Sequence, residues 1–169
     1  LARQGAKLIA IPCMTAHYFH RDLTRYIEAP IVHAIHETAA HLKKHGVTKV
    51  GNMATDGSIR SQLFQRELEK HGIEPIIPGE TAQKCVMSVI YDDVKANKPA
   101  GMDKFRFASE ELRKKGAQAI ILGCTELSLV KRYCPIGAGY LDAMEVLARR
   151  CVLECGGRLK EEYQNLISK

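Results

Sequence analysis

Short runs rich in Ile and Val recur along the chain, separated by stretches of helical period, and this alternation confines the fold to strands that take turns with helices. The runs are KLIAIP (7–12), PIVHAI (30–35), KVGNMA (49–54), EPIIP (74–78), QAIILG (118–123) and the weaker PIGAGYL (135–141). Between them, SIRSQLFQRELEKHG reads as a helix starting at a capping Ser58 and stopping at Gly72, and DKFRFASEELRKKG as one ending at Gly116. Residues 81–102 read as a helix through Val89 and Val94 followed by the breaker run NKPAG, and 141–169 as a long helix interrupted at Gly156 and Gly157. Alternation of this kind implies an α/β protein with mainly parallel strands and helices on both faces. Ligands in such folds sit beyond the carboxyl ends of the strands.

Composition narrows the function. With 169 residues, 46% of them hydrophobic, the chain can bury a sizeable core without disulfides. Its six cysteines, at 13, 85, 124, 134, 151 and 155, are therefore read as free thiols. No apolar stretch approaches the roughly 20 residues that span a bilayer, and LARQGAKLIA lacks the features of a signal peptide, so the expected location is cytoplasmic, with no membrane partner. Lys and Arg exceed Asp and Glu by 25 − 19 = 6, but the basic residues are interspersed with acidic ones and aromatics make up only 6%. A nucleic-acid surface calls for a basic stripe with stacking residues, so no nucleic acid is expected and the excess fits an anionic ligand.

The chain also contains an internal echo. IAIPCMTAH and AIILGCTEL each run an apolar strand into a Pro or Gly turn, a Cys, and a Thr within two residues. A cysteine at the carboxyl end of a parallel strand, just before a helix, sits where free amides and the positive helix end favour the thiolate. Thr15 and Thr125 add hydroxyl donors beside the two thiols. Inverting a stereocentre by proton transfer needs a base on one face of a carbon and an acid on the other, and Cys13 and Cys124 supply such a pair.

IPCMTAHYF and ILGCTEL resemble the two signature segments of the aspartate/glutamate racemase family, and His17 and Glu126 fit its aspartate branch. KVGNMATDGSIRSQLFQRELEKHGIE and LDAMEVLA resemble the family's segments between and after those signatures. The resemblance implies two Rossmann-like lobes with the substrate between them and racemisation of aspartate or a related amino acid. It also implies the absence of pyridoxal phosphate, metal or nucleotide, and a homodimer. Carried over by position, Cys13 and Cys124 take the proton-transfer roles, Met14, Thr15, Thr55, Lys95 and Thr125 contact the substrate, and His17 and Glu126 support the thiols. Lys95 is the candidate for the distal carboxylate.

The chain departs from the family pattern twice. Met14 stands where the family has Asn, which removes an amide expected to hydrogen-bond the amino acid. LARQGA reads as the end of a helix, so the first lobe is expected to be incomplete at its N-terminus. The corresponding division is a remainder of the first lobe over 1–34, a second lobe over 35–139, and a C-terminal helical segment over 140–169 that returns to the first.

Other readings compete with this one. Cys13, His17 and His20 could be metal ligands, but their spacing lacks the paired pattern of structural zinc sites. His41 with His45, and Cys151 with Cys155, lie four apart, and an ordinary helix face accounts for both pairs. No Gly-rich phosphate loop is present. A Cys13–His17 hydrolase leaves Cys124 without a role. The strongest rival is a non-catalytic binding module for an anionic metabolite, favoured by Met14 and the incomplete start.

Overall fold

The computed structural model describes residues 1–168. A four-stranded, all-parallel sheet of order β2-β1-β3-β4 is built from β1 (Lys49–Met53), β2 (Glu74–Ile76), β3 (Ala119–Leu122) and β4 (Tyr140–Asp142). The helices are α1 (His20–Tyr26), α2 (Ala34–Lys44), α3 (Asp56–Arg60), α4 (Leu63–Lys70), α5 (Glu80–Ser88), α6 (Met102–Lys114), α7 (Thr125–Tyr133) and α8 (Ala143–Glu154).

β3 shows why the sheet takes helices on both faces. Ala119 and Ile121 point into one core with α2, α4 and α8, while Ile120 and Leu122 point into another with α5, α6 and α7. All four are fully buried, so an uninterrupted apolar run is what period-two alternation between two cores requires. The cores hold Ile35, Leu42, Phe64 and Leu68 on the first side and Val86, Phe105 and Leu112 on the second.

Several expected boundaries shift. The runs over 7–12 and 30–35 meet only in a parallel bridge between Ile9 and Ile31, closed by Ile9 N to Pro30 O and Val32 N to Ile9 O, each at 2.9 Å. α2 begins where 30–35 was read as a strand, because the His33 ring accepts a bond from the His36 amide at 3.1 Å and caps the helix. Burial first, then His20 and His17, pulls the His33 pKa down to about 4, which keeps that ring a neutral acceptor. The helix read from Ser58 to Gly72 is two helices, broken at Gln62 with φ 56°, and its cap is Thr55 rather than Ser58. Beyond α5 the chain widens into a π-turn over Val89–Val94 before the breaker run. α6 ends ahead of Gly116, which takes φ 94°.

The tail is not one long helix. α8 stops before Gly156, at φ 74°, and residues 158–168 return across the molecule to an antiparallel bridge between Leu141 and Ile167. Ser168 fastens this return: its amide donates to Tyr140 O at 2.8 Å and its carbonyl accepts from Gly139 N at 2.7 Å. No helix of the described residues is long and apolar enough to cross a membrane.

Candidate functional site

The carboxyl ends of β1 and β3 lie side by side, since Met53 pairs with Leu122 and Gly123 N donates to Met53 O at 2.8 Å. Gly123 is the close-approach residue of this edge. A Cβ there would lie 2.9 Å from Phe64 Cε2 and 3.1 Å from Ala54 Cβ, so a side chain would push the following turn off the sheet. That turn carries Cys124, the N-cap residue of α7.

Cys124 is partly buried, and its sulfur donates to Glu126 Oε2 at 2.7 Å. The Thr125 hydroxyl donates to the same oxygen at 3.0 Å, while Lys95 Nζ lies 3.9 Å from Oε1. Burial, and then the Glu126 carboxylate, pushes the Cys124 thiol up to about 12. The helix end was expected to favour the thiolate; here desolvation and an anionic hydrogen-bond acceptor outweigh it, and the proton rests on sulfur. Burial opposes ionisation of Glu126 as well, but bonds from Cys124, its own amide and Thr125, with the Lys95 charge, hold it below the usual carboxylate range. The π-turn delivers Lys95 to this place and sets its ammonium 4.3 Å over the Tyr91 ring.

Cys13 is exposed and precedes a 3-10 turn over Thr15–Phe19. The Thr15 hydroxyl is 3.1 Å from that of Thr55, which also accepts the Ser58 amide at 3.4 Å as the cap of α3. This contact ties the Cys13 turn to the end of β1, the strand beside the Cys124 turn. His17 is buried, with Nδ1 3.1 Å from the Cys13 main-chain carbonyl and Nε2 3.3 Å from that of Val32. It therefore steadies the backbone on both sides rather than touching the Cys13 sulfur. Desolvation lowers its pKa, so the neutral ring donates to one carbonyl at a time.

Met14 requires a correction. Expected to face the substrate, it is 2% exposed and packs in the first core among residues such as Val32 and Ile35. A flexible thioether suits an irregular apolar gap, and that is where the turn directs it.

Three further polar residues, Gln83, Asp142 and Asn52, support these turns. Gln83 Nε2 donates to Ala54 O at 2.9 Å and Asp56 Oδ1 at 2.8 Å, clipping the turn after β1 from α5. Beside it a cavity of about 470 Å³ is lined by Asp56, Gln83, Met87, Ser88 and Tyr91. Asp142 is buried and caps α8 through the Met144 amide at 2.8 Å, while accepting the Ser128 hydroxyl at 2.7 Å. Desolvation raises the pKa of Asp142. The D-x-x-E spacing of Asp142 and Glu145 was a readable capping signal. Asn52 is fully buried on β1, and neither amide atom finds a partner among the described residues. Its Oδ1 lies 3.2 Å from where a Gly123 Cβ would stand, directly behind the Cys124 turn. It was passed over in the sequence, where a polar residue inside an apolar strand run is the signal that could have found it.

Comparison with known proteins gives a consistent picture. The broad specificity amino-acid racemase RacX of Bacillus subtilis is 26% identical over 152 residues, covering 90% of this chain and 66% of that protein. The aspartate racemase of Picrophilus torridus superposes with a TM-score of 0.75 at 28% identity, over 98% of this chain and 69% of that one. An aspartate racemase homologue from Pyrococcus horikoshii gives 0.78 at 25% identity, over 91% and 69%. The chain thus spans about two thirds of the length of these relatives. The family described as Asp/Glu/Hydantoin racemase matches residues 1–151, nine-tenths of the chain and both cysteine turns, and the chain belongs to that family.

Proposed function

We propose that this chain racemises aspartate or a related amino acid by two-base proton transfer between Cys13 and Cys124, without an added cofactor. The observation that carries the reading is the Cys124–Glu126 pair at the carboxyl edge of the sheet, a thiol that burial and the adjacent carboxylate keep protonated and so ready to act as the acid on one face of the carbon. In one direction a Cys13 thiolate removes the α-proton and the Cys124 thiol donates its own to the opposite face of the carbon. In the other, starting from the state this leaves, the Cys124 thiolate removes the α-proton and the Cys13 thiol delivers its own to the opposite face. The charge developing on the substrate carboxylate needs nearby donors. Thr15, Thr55 and Thr125 are the hydroxyls at the two turns, and Lys95 supplies positive charge for a distal carboxylate.

Turnover in deuterated water should place deuterium on the α-carbon, as followed by mass spectrometry. Cys13→Ser and Cys124→Ser should each lower racemisation by at least about 100-fold, the scale of a lost acid or base. Racemisation retained by both single variants would eliminate the two-thiol scheme. The exposure of Cys13 favours a second reading, a module that binds an anionic metabolite without turning it over. Saturable binding with no deuterium exchange would select that reading.

A further inference from the structure

We propose that His36, Glu67 and His71 form a binding site for a zinc-class divalent cation that clamps α2 to α4, a site separate from the cysteine turns and independent of the racemase reading. One ligand atom from each of the three residues lies within 4.8 Å of the other two. Two imidazoles and a carboxylate are a donor set that zinc accepts, with a fourth position left for water.

The arrangement follows from the elements. Glu67 in α4 and His71 at its C-cap are four residues apart and share a face. His36 enters from the first turn of α2, aligned by the His33 cap. His36 Nδ1 is 2.7 Å from Glu67 Oε1, and His71 Nδ1 is 3.9 Å from that same oxygen. Lys70 holds the other carboxylate oxygen, Oε2, at 2.9 Å, which fixes the carboxylate plane and leaves Oε1 to the histidines. His71 Nδ1 also lies 2.9 Å from the Glu67 main-chain carbonyl, which holds the ring against the end of α4; a cation bound at this nitrogen would take the place of the proton shared with that carbonyl.

An ion pair between His36 and Glu67, with the His71 ring closing the end of α4, accounts for each residue separately but not for two imidazoles converging on one carboxylate oxygen. Side-chain exposure is 50% for His36 but 12% for Glu67 and 19% for His71, so the group is sheltered on the α4 side and reached from solvent past His36. Beside it, a cavity of about 560 Å³ is lined by His20, His33, Glu67 and Lys70 among others, and the His33 ring lies 6.3 Å from that of His36.

The test is titration of the protein with Zn2+ by calorimetry and with Co2+ by visible absorption. One saturable site is expected, with a cobalt spectrum free of a thiolate charge-transfer band, which separates it from the six free cysteines. His36→Ala, His71→Ala and Glu67→Gln should each weaken binding by about tenfold or more. Zinc should raise the thermal midpoint of the parent protein, and EDTA should reverse the rise. Lys70→Ala, which removes no ligand, should bind and keep its fold. The proposal is overturned by an absence of saturable binding, by affinity unchanged in the three variants, or by a thiolate band that vanishes on cysteine substitution.

Discussion

Cys124 and Glu126 are two positions apart, yet they act as one proton-holding unit because the turn after β3 brings sulfur and carboxylate to 2.7 Å. The thiol is raised by burial and by the adjacent anion, and it stays protonated as pH rises past the ordinary range for cysteine. Replacing that anion by a neutral amide lowers the thiol pKa, so Glu126→Gln should hold more thiolate at any given alkaline pH. Alkylation of Cys124, followed by mass spectrometry over a pH series, should then run about tenfold faster for each unit of lowered pKa. An unchanged rate profile would mean that burial alone sets the proton. The residue pair itself was legible in the C-T-E spacing. The direction of the shift was not, because a strand-end argument counts amides and the helix dipole but not desolvation. Met14 was misplaced for a related reason: motif position says which turn a residue occupies and not which way its side chain leaves it.

The elements that were easiest to read are those whose signals are local. α6 ends just ahead of its glycine, and the short apolar runs that become β1 and β3 are visible in the sequence. α2 was missed at its start because its cap is a histidine ring, and one helix was read for α3 and α4 because Gln62 in a left-handed conformation carries no breaker signature. The return of residues 158–168 was also hidden, since it depends on a distant partner. His41, read as part of a solvated or packed helix face, lies on the packed side: it is buried and accepts the Leu166 amide at 3.2 Å. Burial, then the charges of His45, Arg149 and Lys44, pulls its pKa down to about 4. The unfolded chain takes up this proton near the usual value of about 6.5 while the folded chain resists it, so the stability that depends on neutral His41 is lost as pH falls from about 6.5 towards 4. Hydrogen exchange should show the Leu166 amide losing protection across that interval, ahead of the amides of β3. Protection that stays level through the interval would remove His41 as the acid-sensitive hold on the tail.

At the scale of the whole molecule, one parallel sheet separates two apolar cores, and the chemistry-bearing turns gather at one of its ends. The layer order follows from the alternation of strand and helix signals. Residues 1–33 contribute only the Ile9–Ile31 bridge to the β structure, so the Cys13 turn depends on lateral ties, among them the Thr15–Thr55 hydroxyl contact and the His17 bonds.

A sheet of four strands has two flanks, and each is defended differently. Along β2, Pro75 offers no amide hydrogen and Glu74 is engaged by Lys49 at 2.8 Å. Along β4 the sentinel is the tail, whose Ser168 occupies the Gly139 amide and, through its hydroxyl at 3.0 Å, that of Tyr140. A protein ending at Gly157 would present those donors as a template for foreign strands. Light scattering should register its self-association under conditions where the full chain stays dispersed, and equal dispersal of the two would show that this flank needs no guard.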